Sequence, residues 1–296
     1  MNSRYIYTVY GMTIDSNIEL PLLTPANEIM DTSYTLEYRA SEKIINNYGI
    51  NIKYNNSLYT IALGEFATYS ICARDGHTVC TAKDYESCFS TLFNIPSAVL
   101  IAIRQEVLLH ACSLFYNDGI HCLTANKGVG KSTLTQLLGD GLPFKIFSDD
   151  TVRISRTWHG YAPHNLIKLT DETKNALKVD DIYDSKNIAG KIYGKFTNGG
   201  LKTPKVRSII QIKRTTDDLP AMKYINDLAK KRKMFFGNLV GIPYYTKSLL
   251  NNAFDFKIES DVNFYTLFIP NGLIKLINAR EYIKNLVVST ISKHQC

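Results

Sequence analysis

This chain of 296 residues contains no uninterrupted apolar run of the roughly 18 residues that a membrane-spanning helix needs, so no membrane partner is expected. Its opening, MNSRYIYTVYGMTIDSN, also lacks the charged-then-apolar design of a secretion signal, and the expectation is a cytoplasmic protein. With only 9 prolines and 17 glycines, collagen-like and low-complexity classes are set aside. A hydrophobic share of 45% against 21% charged residues can build a core, which sets disorder aside as well. The six cysteines, Cys72, Cys80, Cys88, Cys112, Cys122 and Cys296, form no Cys-x-x-Cys pair. They read as buried, reduced thiols. No Asn-Lys-x-Asp guanine reader and none of the protein-kinase signatures occurs, which argues against a GTPase or an ordinary protein kinase. The charge surplus is small: 34 Lys+Arg against 27 Asp+Glu gives +7, which suits an anionic ligand but falls short of a nucleic-acid binder.

What is present suggests two domains divided near residue 95. Over 1–95, short β-prone runs (Arg4–Tyr10, Tyr34–Tyr38, Ile50–Tyr54, Leu58–Ile61, Thr68–Cys72) alternate with Asn, Gly, Asp and Pro clusters, predicting an antiparallel β-rich domain. Helical spacing follows at Asp84–Phe93 and Ser97–Glu106, with Pro96 between them. In 96–296, Val107–Tyr116 reads as one strand, Asn117-Asp118-Gly119 as a hairpin turn and Ile120–Thr124 as a second strand. A helix over Ser132–Leu138 and an apolar strand, Phe144–Ser148, complete a βαβ unit. Further on, the patterns predict helices at Asp171–Leu177, within Asp217–Arg232 and at Gly272–Thr290, with strands at Val206–Lys213 and Phe264–Phe268.

The chemistry concentrates between these elements. Ala125-Asn126-Lys127-Gly128-Val129-Gly130-Lys131-Ser132 fits the phosphate-loop pattern A-x-x-x-x-G-K-S, followed by Thr133. Gly128 and Gly130 let successive backbone N–H groups converge on an anion, and the helix that follows aims its positive end at the same place. Lys131 is expected on the β- and γ-phosphates and the Ser132 hydroxyl on Mg²⁺. Asp149 and Asp150 end the next apolar strand, at the edge where α/β sheets gather ligands. Two adjacent carboxylates permit a division of labour, one supporting the metal and one accepting a hydroxyl proton.

Other residues stay open on their own pattern. His110, inside an apolar run, reads either as a hydrogen-bonded core residue or as a neighbour of the Asp149 carboxylate. Lys168, Lys191 and Lys195 are candidates for a phosphate or substrate clamp, or ordinary surface lysines. The run Lys230-Lys231-Arg232-Lys233 reads as a solvated helix face or a contact for an acidic partner.

The segment LLHACSLFYNDGIHCLTANKGVGKSTLTQLL…FKIFSDDTVRI resembles the catalytic domain of the HPr kinase/phosphorylase family, with a His, a hairpin, a phosphate loop and a double Asp in the same order. The opening YTVYGMTIDSNIELPLL resembles stand-alone HPr-kinase-like proteins, some of which phosphorylate lasso-peptide precursors on a serine hydroxyl. The resemblance implies an α/β P-loop fold related to phosphoenolpyruvate carboxykinase, preceded by a β-rich domain. It implies transfer from Mg²⁺-ATP to a serine hydroxyl of a peptide or small protein, with Asp149 as base, Asp150 at the metal and His110 as the upstream His. Hexamers are common in that family, so a homo-oligomer is compatible with the resemblance. The region from Ala162 lacks the family's Gly-rich signature with its acidic residue and later Arg, so phosphorolysis and HPr as substrate are not expected. A small-molecule kinase acting on a serine-like acceptor, and a silent nucleotide-binding regulator, remain the alternatives.

Overall fold

The computed structural model describes residues 4–20, 23–26, 33–41, 49–164, 166–169, 183–188, 191–195 and 203–294. Seven strands build the first sheet: β1 (Tyr5–Val9), β2 (Met12–Ser16), β3 (Ser33–Ala40), β4 (Ile50–Asn55), β5 (Leu58–Leu63), β6 (Ala67–Cys72) and β7 (Thr78–Ala82), in the order β1-β2-β3-β7-β6-β5-β4. The sheet is not wholly antiparallel as expected: β2 pairs parallel with β3, and β3 parallel with β7. Long-range parallel pairing leaves no local turn signature, whereas the hairpins β4–β5 and β5–β6 carry theirs in sequence.

Helix α1 (Tyr85–Leu92) starts where Asp84 accepts a hydrogen bond from the Ser87 N–H at 2.8 Å, a cap contributing on the order of 1 kcal/mol. Helix α2 (Ile95–Ile103) has Pro96 in its first turn, where the missing N–H costs nothing. The expected division near residue 95 falls between these helices, which share one core with the first sheet; that core runs through Ala102 and takes in Leu108, Val240 and Leu249.

The run Val107–Tyr116 is two strands rather than one. β8 (Val107–Leu109) joins a small sheet with β12 (Val152–Ile154) and β13 (Gly160–Tyr161), while β9 (Cys112–Tyr116) enters the main sheet. The break falls at His110 and Ala111, where the His110 N–H turns away to donate to the Asn238 carbonyl at 2.8 Å. β9 and β10 (Gly119–Thr124) form a hairpin whose two turn residues, Asn117 and Asp118, have φ of 47° and 56°, the left-handed pair that a tight turn requires.

The main sheet has the order β11-β9-β10-β17-β19-β18, with β11 (Lys145–Ser148), β17 (Lys205–Thr215), β18 (Ala221–Tyr224) and β19 (Asn263–Pro270). β10 runs parallel to β17, and β17 parallel to β19. β9 is antiparallel to both β10 and β11 and lies between them, so the βαβ unit around α3 (Lys131–Gly139) is split by the hairpin strand. A second small sheet orders β14 (Leu166–Leu169), β16 (Lys191–Lys195) and β15 (Tyr183–Ile188).

Two later expectations are sharpened. The helix expected within Asp217–Arg232 is the start of α4 (Leu228–Phe236), and the earlier part of that range holds β18, which pairs with β19. Gly272–Thr290 is two helices, α6 (Leu273–Asn278) and α7 (Arg280–Ser292), meeting at Ala279; Leu276, Ile283 and Val287 are buried as their spacing implies. Helix α5 (Lys247–Phe254) has no counterpart in the sequence reading. The helix expected at 171–177 lies outside the described residues. Among the described residues no single helix is long and apolar enough to cross a membrane. Cys80, Cys88, Cys112 and Cys122 are free and buried, Cys72 is free but only half-buried, and Cys296 lies outside the described residues.

Candidate active site

One edge of the main sheet collects the chemistry. β10 ends at Thr124 and β11 at Ser148, both at the edge where β9 begins with Cys112, because β9 runs the opposite way: Leu123 pairs with Cys112, and Ser148 with Ser113. From Thr124 the chain enters the loop 125–130 and then α3. Gly128 and Gly130 have φ of 84° and 101°. A side chain at either would sit in a conformation costing roughly 1–2 kcal/mol. A Cβ at Gly128 would meet nothing within 4 Å, so glycine there serves the backbone shape alone. Asn126, Lys127 and Gly128 are exposed, while Val129, Gly130, Lys131, Ser132 and Thr133 are half-buried and Ala125 is buried. The helix is anchored by the Leu134 N–H donating to Gly130 O and by Thr135 Oγ1 donating to Lys131 O, both at 2.9 Å.

Cys112 joins this loop to the carboxylates. Its thiol donates to Asp149 Oδ1 at 3.0 Å, and its sulfur lies 3.9 Å from the Ser132 hydroxyl. Burial, and then the negative charge of Asp149, push the Cys112 thiol well above its ordinary range, so it acts as an S–H donor. Asp149 is 1% exposed. Asp150 is half-buried and takes φ 86°, a left-handed conformation rare for a non-glycine residue. Strain of this kind costs on the order of 1–3 kcal/mol and persists where surrounding contacts over-determine the backbone.

His110 lies outside both strands and is exposed, its Nε2 3.6 Å from Asp150 Oδ1. Of the two readings of His110, the buried core position is therefore corrected, and the carboxylate 3.6 Å from its Nε2 is that of Asp150. The physical reason is the strand break at 110–111, which lets His110 leave the sheet.

Arg214 was not singled out by sequence. β10 stops opposite Gln211, but β17 continues to Thr215, so Arg214 reaches the loop. Its Nε donates to Val129 O at 2.9 Å and its Nη1 to Pro270 O, and a Cβ on Gly130 would fall 2.8 Å from its Nη2. Burial lowers its pKa, yet a guanidinium stays charged at any physiological pH. Only the parallel pairing of β17 with β10 puts this cation beside the loop, and a single sequence carries no local sign of that.

Lys168 and Lys191 fall on β14 and β16, and Lys195 ends β16; the strands pair Lys168 with Tyr193 and Lys191 with Ile188, while their side chains lie outside the described part of the structure. Within the basic run on α4, Lys230, Arg232 and Lys233 are exposed, as a solvated face requires; Lys231 sits over the Tyr224 ring at 5.5 Å. Among the described residues no three His, Cys, Asp or Glu side chains form a metal cage. The oxygen donors at the edge, Ser132, Asp149 and Asp150, fit Mg²⁺, which takes one or two protein ligands and completes its shell with phosphate oxygens and water.

No protein-family model matches the chain, and no curated protein matches it. Among solved structures the chain shows a distant likeness to the Hpr(Ser) kinase/phosphatase from Coxiella burnetii, with a TM-score of 0.33 and 13% identity over 64% of this chain and 99% of that one.

Proposed function

We propose that this chain is a phosphotransferase that takes the γ-phosphoryl group of Mg²⁺-ATP and passes it to a serine hydroxyl of a peptide or small protein, a lasso-peptide precursor being the acceptor class implied by the sequence resemblance. The observation that carries the reading is the position of Cys112. One buried sulfur touches Asp149 and approaches Ser132, so the phosphate-loop hydroxyl and a buried carboxylate flank a single atom at the sheet edge.

The residues divide the work as follows. Backbone N–H groups of the loop 125–130 and the start of α3 cradle the phosphates, with Lys131 adding a positive charge. Ser132 and Asp150 would hold Mg²⁺, which when bound neutralises charge on the β- and γ-phosphate oxygens. Asp149, with Oδ1 held by Cys112, accepts the proton of the acceptor hydroxyl as the new O–P bond forms and the bond to ADP breaks. His110 supports Asp150 from the solvent side.

The test is mass spectrometry after incubation with Mg²⁺-ATP and a panel of acceptors: a precursor peptide ending in serine, HPr and free serine. A gain of one phosphate on the peptide supports the reading. Phosphorylation of free serine alone moves the assignment to a small-molecule kinase. Binding of ATP in calorimetry without transfer to any acceptor or to water favours a regulator, and no ATP binding overturns the phosphate-loop assignment.

A further inference from the structure

Tyr10 forms the tip of the β1–β2 hairpin together with Gly11, at φ of 53° and 65°, far in sequence from the phosphate loop and the double Asp. A hairpin tip is ordinarily solvated, yet Tyr10 is completely buried. Its backbone is claimed on both sides by the segment that follows the double Asp: the Tyr10 N–H donates to Ala162 O at 2.9 Å, and Arg153 Nη1 donates to Tyr10 O at 2.6 Å. Gly11 permits this seating, because a Cβ there would lie 2.3 Å from the Tyr161 ring.

The phenol then reaches the turn that carries Asp149 and Asp150. Its oxygen lies 3.1 Å from Phe93 O and 2.7 Å from Thr151 Oγ1. A carbonyl can only accept, so the single phenol proton goes to Phe93 O, and the Thr151 hydroxyl donates to the phenol oxygen. On the other flank, Ser148 Oγ donates to Thr151 O at 2.6 Å. The residues before and after the Asp pair are thereby tied, and the left-handed backbone of Asp150 sits inside that clamp. Burial raises the Tyr10 pKa far above its ordinary value, which keeps the phenol a protonated donor beside the Asp150 charge.

We infer that Tyr10 is a positioning residue: acting through Thr151, its hydroxyl holds the Asp149–Asp150 turn in its strained, site-forming shape, which makes the N-terminal hairpin a working part of the active site. The inference rests on the proposed function, in which Asp150 faces the metal. Without the phenol oxygen, the buried Thr151 hydroxyl loses its acceptor and the turn can relax toward an ordinary backbone conformation, shifting the Asp150 carboxylate.

The experiment compares Tyr10→Phe, Thr151→Val, Thr151→Ser and the double variant Tyr10→Phe/Thr151→Val in the full chain. Calorimetry measures ATP affinity with EDTA and with Mg²⁺, the ratio reporting how well metal and nucleotide cooperate. Tyr10→Phe and Thr151→Val are each expected to reduce that ratio and the turnover by about tenfold, with metal-free ATP affinity within about twofold of wild type. The double variant should be no worse than either single, since one chain is cut in each case, and Thr151→Ser should restore the ratio. A merely structural role would lower the melting temperature and leave the ratio intact. A folded Tyr10→Phe with unchanged ratio and turnover, or additive losses in the double variant, overturns the inference; if Tyr10→Phe does not fold, Thr151→Val and Thr151→Ser decide it by the same ratio. Wild-type protein that binds no Mg²⁺-ATP overturns the proposed function and takes this inference with it, an outcome distinct from an indifferent Tyr10→Phe.

Discussion

The thiol of Cys112 donates to Asp149 Oδ1 across 3.0 Å, inside the sheet edge and fully shielded from water. A buried carboxylate deprived of a donor is destabilised and turns toward other partners. Cys112→Ala is therefore expected to lower turnover by about tenfold while sparing ATP affinity. Cys112→Ser, which keeps a donor, should recover most of the loss. Steady-state kinetics with parallel ATP titration checks this; an alanine variant as active as wild type would remove Cys112 from the account.

Asp149→Asn should bind nucleotide normally yet lose about two to four orders of magnitude in turnover, the usual contribution of a general base. His110→Ala, which acts on the half-exposed Asp150, should lose less. Near-normal turnover in Asp149→Asn would transfer the proton-accepting role to Asp150.

The two loop glycines should respond differently to alanine. Gly128→Ala meets open space and suffers only backbone strain, on the order of 1–2 kcal/mol. Gly130→Ala bears the same strain and also makes the tip of Arg214 shift, its Nη2 lying 2.8 Å from the added carbon, which disturbs the bond to Val129 O. Calorimetry should find ATP affinity reduced more in Gly130→Ala than in Gly128→Ala, and Arg214→Met, which loses the bond to Val129 O, should weaken it as well. Equal effects of the two glycine variants would count against the Arg214 brace.

Stability should fall with acid because of His121. Its Nε2 donates to Tyr116 O at 3.2 Å and its Nδ1 accepts from the Ser208 hydroxyl at 2.8 Å, the neutral form. Burial pushes its pKa down to about 4 from 6.5, so the unfolded chain takes up the proton first. The stabilisation is complete above pH 6.5 and is lost as pH falls toward about 4, by at most about 3 kcal/mol. Urea unfolding at pH 7.5 and 5 should show the decline, and His121→Gln should flatten it. An unchanged slope in the variant would place the acid sensitivity elsewhere.

The local pieces are legible in the order of the amino acids. Hairpin strands β4, β5 and β6, the Asn117–Asp118 turn, the start of α3 and the left-handed glycines all follow from nearest neighbours, since turn chemistry and periodicity act over a few residues. The Gly-rich loop 125–130, the helix after it and the double Asp at the end of the next strand are equally legible. Which of these pieces meet is set by long-range packing. Parallel pairing of β2, β3 and β7, the switch of chain from β8 to β9 that frees His110, the reach of Arg214 along β17 and the insertion of Tyr10 beneath Thr151 each join residues far apart in sequence. Such contacts depend on which strands become neighbours, and that is settled by burying shared cores, a property of the whole chain that no local pattern encodes.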